Sequence, residues 1–256
     1  CKRKNRRRNK KFHRNNADSA CKHICPRLHG KKRKEIFKTA FWKGWLKLTN
    51  KILALDCAHE TCSAAVTAGN DVIASKTVEM ERGQAEALIP MVQAVMKQAD
   101  IDFPDLSCIA VSTGPGSFTG VRVGLAAADG LAMAANLPEV GLSLLEAVAF
   151  SAGFAGKLCV VLETKRDDFY AQLFENGRPV SGPFVAEGKY FDTLRDFTFA
   201  GNGVKRLIEE TGNKPALDTP MPDAAVLGKM AAQKTPEFKT PAPLYLREAE
   251  VTLCRK

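Results

Sequence analysis

The sequence predicts an α/β protein of two related lobes, and three observations lead to that prediction. Three strands follow one another from residue 51, an order that excludes a simple Rossmann fold. A glycine-rich turn, residues 114–120, joins an apolar strand to an Ala- and Leu-rich segment that is typical of a helix. A pattern of strand, acidic residue, turn, strand and hairpin occurs twice, near residues 52 and 158. Such a duplication indicates two related structural units.

Charge separates a basic leader from a mildly acidic body. Residues 1–50 hold 18 Lys and Arg against 2 Asp and Glu, whereas residues 51–256 hold 20 against 26. A segment so rich in charge cannot bury a core, so we expect a disordered or non-native leader. Two alternatives stay open for it: a zinc knuckle made by its cysteines and histidines, and a basic amphipathic anchor over residues 37–48.

The body holds an odd number of cysteines, which are Cys57, Cys62, Cys108, Cys159 and Cys254. An odd count in which two cysteines fall in predicted strands favours reduced thiols and a cytoplasmic protein. No stretch approaches the roughly 20 apolar residues of a membrane span, so we expect no membrane partner.

The first elements of the body are a strand, a hairpin and a helix. The strand over residues 52–56 is apolar and ends in a carboxylate, Asp56, and the turn at residues 69–71 separates the next two strands as a hairpin. Residues 84–99 have helical periodicity, and their apolar positions cover about 160° of the helix. This arc is wider than one sheet face requires. A buried core helix and a helix with a second apolar contact therefore both stay open.

The glycine loop, residues 114–120, is neither a P-loop nor a dinucleotide fingerprint. It lacks the lysine of the first and the glycine spacing of the second. Its glycines permit either a tight connection or the approach of an anion to the first N–H groups of the next helix. The residues that we expect near such an anion or nucleotide are Gly114, Gly116, Ser117, Thr119 and Gly120.

Two further patterns concern helices. Small residues recur every four positions at Gly120, Gly124 and Ala128, and this spacing lets another backbone approach closely. Ser143 and Glu146 form a Ser-x-x-Glu pattern, which predicts a capping box at the start of a helix that ends near residue 154.

Four segments together resemble the TsaB (YeaZ) family. They are residues 52–63, 88–92, 114–124 and 243–247, in that order along the chain. The run Gly-Pro-Gly-Ser-Phe-Thr-Gly-x-Arg in the third segment is specific to this family. The resemblance covers about residues 51–250 and leaves the leader out. TsaB is a subunit of the bacterial machinery that makes N6-threonylcarbamoyladenosine (t6A) at position 37 of tRNA.

The resemblance implies an actin-like fold, the two-lobed α/β architecture of sugar kinases, Hsp70 and actin. We expect the first lobe at residues 51–154 and a smaller second lobe at residues 155–256. The resemblance also implies a non-catalytic pseudo-enzyme subunit that docks TsaD, its catalytic paralogue in threonylcarbamoyl transfer, as a heterodimer. The ATPase TsaE completes the assembly, and tRNA is contacted indirectly. No cofactor is expected to bind tightly, and ATP with Mg²⁺ is expected only in the assembled complex.

The resemblance further implies that the helices near 84–99 and 119–135 pack against the same helices of TsaD. We expect this patch to form a homodimer when TsaD is absent, because a two-fold pair uses one surface twice. The expected interface residues are Leu88, Met91, Val92, Val95, Gly120, Gly124 and Ala128.

No catalytic or metal-binding residue is expected. TsaD binds metal through a His-x-x-x-His pair on a helix, and the corresponding positions here hold Leu144 and Val148. His59 is the one histidine of the body, so residues 51–256 contain no such pair, and we expect it to be an exposed turn residue.

Asp56 occupies the position where actin-like ATPases hold hydrated magnesium near phosphate, which implies a vestigial phosphate-site carboxylate. On its own it is equally suited to capping a turn. The rival function is therefore a nucleotide-dependent phosphotransferase of the sugar-kinase class. That function requires a second acidic loop, and residues 163–167 resemble one.

Overall fold

The computed structural model describes residues 51–164 and 166–247, which form two sheets with five helices among them. The predictions of a disordered or non-native leader, a zinc knuckle and a basic anchor lie outside the described residues, as does Cys254.

The first sheet has the strand order β3-β2-β1-β4-β5. Strands β1, β2 and β3 are antiparallel neighbours, whereas β4 runs parallel to β1, and β5 runs parallel to β4. Its strands are β1 Lys51–Asp56, β2 Thr61–Ala68, β3 Asp71–Glu79, β4 Cys108–Gly114 and β5 Glu139–Ser143. The hairpin predicted at residues 69–71 therefore joins β2 to β3.

Helices cover both faces of this sheet. From Ile52 to Asp56 every residue of β1 is buried, and because successive side chains of a strand point to opposite faces, both faces must be covered. Helices α1 (Gln84–Gln98) and α2 (Phe118–Ala135) pack beside each other on the sheet. Among the described helices, α2 is the one whose length and mean hydropathy of 1.2 would allow membrane crossing, a test that core helices also pass.

The helix after β5 is α3 (Leu144–Ala152), and its start differs from the prediction. Ser143 is the N-cap residue, as predicted, but its side chain accepts no capping hydrogen bond, and its buried hydroxyl has no partner among the described residues. Glu146 instead forms an ion pair with Lys234 at 2.7 Å. The predicted capping box is therefore wrong, because the Glu146 side chain pairs with Lys234 instead of the N-cap backbone.

The second sheet has the order β10-β6-β7-β8, with β9 also paired to β7. Like the first sheet it begins with a strand that ends in an acid, Glu163, and continues into an antiparallel partner. Its core is aromatic, and Phe191 makes edge contacts with Phe169 and Phe199. The strands are β6 Lys157–Glu163, β7 Asp168–Glu175, β8 Arg178–Pro179, β9 Phe184–Glu187 and β10 Thr198–Ala200.

Two helices follow the second sheet. The first, α4 (Val204–Thr211), buries Leu207 in the aromatic core. The second, α5 (Ala224–Ala231), returns to the first sheet and packs against β1 and β2. Its Gly228 lies so close to Thr67 that a Cβ there would be 2.5 Å from the threonine Oγ1. A segment expected in the second lobe thus completes the core of the first sheet, and the division at residues 154 and 155 stays a prediction.

Candidate functional site

The glycine loop lies directly on the turn that follows β1. The N–H of Ser117 donates to the carbonyl of Ala58 at 2.7 Å. A Cβ added at Gly116 would lie 2.2 Å from that same carbonyl oxygen, and one at Gly120 would lie 2.0 Å from the carbonyl oxygen of Cys57. Real Cβ atoms do not approach backbone so closely. These two glycines are therefore required by the contact between the loop and the turn.

The start of α2 is closed by its own cap. Ser117 is the N-cap residue, and its Oγ accepts the N–H of Gly120 at 3.3 Å. Two N–H groups that an anion would need, those of residues 117 and 120, are thus engaged within the chain. These contacts favour the tight connection over the anion site as the reason for the glycines. Proximity of Gly114 and Thr119 to an anion or nucleotide stays a prediction.

Asp56 lies buried at the end of β1 and organises the same turn. Its Oδ1 accepts the hydroxyl of Ser112 and, at 3.1 Å, the N–H of Ala58. Burial raises the pKa of Asp56, an effect that the nearby His59 opposes. The other oxygen, Oδ2, is buried without a partner among the described residues. A carboxyl desolvated in this way serves as a turn cap, and its affinity for a hydrated cation is reduced.

His59 is half-buried rather than exposed, which corrects the expectation of an exposed turn residue. Its Nε2 is buried without a hydrogen-bond partner in the described chain, and burial lowers the pKa of its imidazole. Among the described residues no group of three or more His, Cys, Asp and Glu is arranged to hold a metal ion. His59 thus lies half-buried in the turn, where it interacts electrostatically with the buried Asp56.

The corresponding acid of the second sheet, Glu163, is held by Arg206. The Nε of Arg206 lies 3.1 Å from Oε1 and 3.0 Å from Oε2 of Glu163. The same guanidinium donates to Glu210 at 2.7 Å and to the carbonyl of Asp168 at 2.8 Å, and its Cζ lies 3.8 Å from the ring centroid of Phe169. The carboxylate that would serve a second phosphate loop is therefore neutralised within the chain.

The seven residues expected at the partner interface are all buried within this chain. Four of them lie on the face of α1 that packs into the core: Leu88, Met91, Val92 and Val95. The other three are the small residues of α2, which face strand β4 and the turn after β1. The wide apolar arc of α1 thus has its physical reason in burial against the chain's own sheet and α2. Their role at a partner interface stays a prediction, and the exposed neighbours of these residues are the groups that a partner can reach in this fold. The small residues are Gly120, Gly124 and Ala128.

The exposed faces of α1 and α2 carry apolar and small residues. Ile89 on α1 is 40% exposed and Met133 on α2 is 77% exposed. Ala126 and Gly130 are also exposed on α2, and Gly130 has no atom within 4 Å of an added Cβ. We call these four residues the outer helix face. It was not found from the sequence, because the stronger periodic signal of the buried face obscures it.

An aromatic cluster beside the glycine loop also escaped the sequence analysis. The guanidinium carbon of Arg122 lies 3.2 Å from the ring centroid of Phe118 and 5.2 Å from that of Tyr245. Tyr245 is brought there because the N–H of Leu244 donates to the carbonyl of Thr113 at 2.8 Å. The spacing of Phe118 and Arg122 on one helix was a usable signal. The contribution of residue 245 depends on the tertiary fold alone.

These features together define an actin-like protein. Its two sheets each begin with a strand that ends in an acid and folds back antiparallel, and helices flank them. The predicted fold class is confirmed. The sequence model of the family TsaD, tRNA N6-adenosine threonylcarbamoyltransferase, matches residues 72–245. The chain belongs to this family and, within it, to the TsaB (YeaZ) group. The recognition made from the sequence is thereby confirmed.

Two relatives and two solved structures illustrate the similarity. The "tRNA threonylcarbamoyladenosine biosynthesis protein TsaB" of Escherichia coli K12 is 40% identical over 134 residues, which span 50% of this chain and 57% of that protein. The protein of the same name from Bacillus subtilis is 29% identical over 219 residues, spanning 78% of this chain and 95% of its own length. "YeaZ from Pseudomonas aeruginosa" is 27% identical with a TM-score of 0.65, covering 77% of this chain and 99% of its own. A second Pseudomonas aeruginosa structure, described as an uncharacterized protein similar to peptidase YEAZ, is 27% identical with a TM-score of 0.67 and covers 77% and 100%.

Proposed function

We propose that this chain is a non-catalytic subunit that docks TsaD for the synthesis of t6A at position 37 of tRNA. One observation carries the proposal. The chain belongs to the TsaB group, and the resemblance implies that its positions 144 and 148 correspond to the metal-binding histidines of TsaD. These positions hold the fully buried Leu144 and Val148. Side chains without a lone pair cannot ligate a metal. Both residues lie on α3 and pack in the hydrophobic core instead.

The two acids of the actin-like frame support the same proposal. Asp56 is desolvated and caps its turn, and Glu163 is paired with Arg206. Phosphoryl transfer in this class of fold needs acidic groups that are free to hold hydrated Mg²⁺ and to orient a nucleophile. In this chain both groups are committed to structural contacts. The chain thus keeps the fold of a phosphotransferase, while the two carboxylates make structural contacts within that fold.

We place the docking surface on the outer helix face of α1 and α2, with TsaD as its occupant. The match to the TsaD family model covers both helices, so the partner carries equivalent helices, and a pseudo-two-fold pairing brings like faces together. Gly130 and Ala126 leave room for a close helix approach, and Ile89 and Met133 supply apolar area. Self-association of this chain without TsaD follows from the same face.

The remaining parts of the proposal concern the assembly. We expect the ATPase TsaE to join the heterodimer, tRNA to be contacted indirectly, and ATP with Mg²⁺ to bind only in the assembled complex. A cytoplasmic location fits a tRNA-modifying assembly and the free buried cysteines Cys57, Cys62, Cys108 and Cys159.

Reconstitution tests the role of the chain. The purified protein alone should leave tRNA unmodified, whereas TsaD should require it for modification when TsaE, ATP and the threonylcarbamoyl-adenylate are supplied. Full activity of TsaD in its absence would overturn the proposal. Turnover of the adenylate by the isolated chain would overturn it equally.

Charge substitutions test the docking surface. Ile89→Glu and Ala126→Glu place a carboxylate on the outer helix face without entering the core, so each should weaken TsaD binding more than tenfold while the melting temperature stays within a few degrees. Val180→Glu is the matched control, because Val180 is a 56% exposed apolar residue of the second sheet region. Unchanged binding by both helix variants would remove the proposed surface.

The rival function is a nucleotide-dependent phosphotransferase, and the unpartnered Oδ2 of Asp56 is the observation in its favour. Calorimetric titration of the isolated chain with ATP and Mg²⁺ separates the two functions. Micromolar binding that is lost in Asp56→Asn would favour the phosphotransferase. A titration without heat would favour the docking subunit.

A further inference from the structure

Cys57 and Cys62 place two thiols in contact across the turn after β1. Their sulfur atoms lie 3.5 Å apart, and both residues are fully buried. Asp56 pairs with Ser63 at the end of the β1–β2 ladder, and Cys57 follows the first of these residues while Cys62 precedes the second, so continuing the register would oppose the two cysteines. Directly opposed residues of antiparallel strands have Cα atoms about 4.5–5.5 Å apart, within the range that a disulfide spans. We propose that Cys57 and Cys62 are an oxidative modification site that closes to an intrachain disulfide.

The chemistry of the pair favours closure with a peroxide as oxidant. One thiol hydrogen-bonds to the other sulfur, which lowers the pKa of Cys62 and raises that of Cys57. The Cys62 sulfur attacks one peroxide oxygen, giving a sulfenic acid and water. The Cys57 sulfur then displaces hydroxide, which takes up the thiol proton and leaves as water. In balance, two thiols and one hydrogen peroxide give one disulfide and two waters, with both sulfurs oxidised and the peroxide reduced.

The other buried thiols of the described chain provide the contrast. Burial raises the pKa of Cys108 to about 12 and also raises the pKa of Cys159, and both are free, buried thiols. Because the thiolate is the reactive form, these residues should resist peroxide. Among the four described cysteines, reaction with peroxide should therefore be confined to Cys57 and Cys62.

Closure of the disulfide should disturb the start of α2. The sulfurs must approach from 3.5 Å to about 2.05 Å, and we expect the part of this movement that side-chain rotation does not supply to fall on the backbone of Cys57. The carbonyl of Cys57 lies under Gly120, where an added Cβ would be only 2.0 Å away, and its N lies 4.0 Å from a Cβ at Gly124. The first turns of α2 rest on this residue. A shift of Cys57 is thus transmitted to the helix that carries part of the outer helix face.

The first experiment treats the full reduced chain with hydrogen peroxide and maps its peptides by mass spectrometry. We expect a Cys57–Cys62 crosslinked species, two hydrogens lighter than the reduced form and reversed by dithiothreitol. Cys108→Ser should behave like the parent chain, whereas Cys57→Ser and Cys62→Ser should give no such species. Oxidation of Cys108 at the same rate as Cys62, or a chain that stays reduced at Cys57 and Cys62, would overturn the site.

The second experiment measures the coupling to α2 by hydrogen exchange of the oxidised and reduced chains. Amides of residues 117–124 should exchange at least several-fold faster after closure, and this readout needs no partner. Unchanged exchange there would overturn the coupling. TsaD affinity, which rests on the proposed function, should fall on oxidation in the parent chain and stay constant in Cys57→Ser. If the reduced chain does not bind TsaD, the proposed function fails while the disulfide and exchange results stand.

Discussion

Asp56 and Glu163 occupy the same place in two sheets and meet different environments. Each follows a buried first strand and precedes an antiparallel return. Asp56 is enclosed, and its Oδ1 accepts a hydroxyl and an N–H, while Glu163 stays partly exposed and is paired with a guanidinium. The comparison teaches that the same strand geometry can accommodate a terminal acid in two different ways. In the first sheet the cost of desolvation is reduced by a raised pKa, and in the second it is offset by a counter-charge.

The largest effect is expected where the glycine loop meets the turn of Asp56. Gly120→Ala places a Cβ about 2 Å from a backbone oxygen that cannot move without the turn, so we expect a loss of at least 3 kcal/mol in the free energy of unfolding. Denaturant titration measures it. Gly130→Ala in the same helix meets open space and should stabilise by up to about 1 kcal/mol. Equal effects of the two substitutions would show that the contact is not tight.

The next largest effect is expected at Asp56, where two substitutions distinguish the loss of the acceptor oxygen from the loss of the negative charge. Asp56→Ala leaves the hydroxyl of Ser112 and the N–H of Ala58 without an acceptor and should cost about 2–3 kcal/mol. Asp56→Asn keeps an acceptor oxygen for these two donors, so it should cost less than the alanine substitution. Thermal unfolding of both variants tests this order. A larger loss in the asparagine variant would mean that the ionised form is needed.

Glu139 extends the comparison to a third acid, which hydrogen-bonds to a second carboxyl, that of Asp129. Burial, then the nearby Asp129 and a hydrogen bond between the two carboxyls, raise its pKa from 4.5 to about 7. Since the folded state holds this proton more tightly than the unfolded chain, the contribution of Glu139 to stability is fully present below about pH 4.5 and is lost as pH rises through about 7. Glu139→Gln should remove this decline and stabilise the chain by about 2 kcal/mol at pH 8. Parallel pH profiles of parent and variant would contradict the assignment.

The smallest effect is expected at the ion pair of the second sheet. Arg206→Met retains the packing on Phe169 but removes the partner of Glu163, and because both side chains are partly exposed the cost should be about 1 kcal/mol or less. The difference between parent and variant should shrink at 1 M salt. The Asp56 variants should show no such salt dependence, since their contacts are buried hydrogen bonds.

The sequence supplied the local elements, because their signals are local. The turn at residues 69–71, the strand before Asp56 and the helix from residue 84 were all predictable from periodicity and turn residues. Which surface covers the apolar side chains of α1 was not predictable. Periodicity reports that Val92 and Val95 avoid water, but it does not say whether the chain's own sheet or a partner covers them.

The candidate site was only partly predictable for a related reason. The acidic ends of β1 and β6 follow from the strand pattern, and the glycine loop follows from its composition. Arg206 lies far along the chain from Glu163, and Tyr245 reaches Phe118 because the N–H of Leu244 donates to the carbonyl of Thr113. The burial of His59 likewise depends on tertiary packing. Pairings of this kind are decided by the fold and leave no mark in the local sequence.

Helix α5 covers strands β1 and β2 although it is the last helix in the described chain. During synthesis these strands emerge long before residues 224–231 do. Their apolar surface therefore stays uncovered on the ribosome until nearly the whole body has been translated, and a nascent chain paused near residue 154 presents that surface to chaperones and proteases. Final closure of the first sheet is thus a late event, set by the order in which the chain is made.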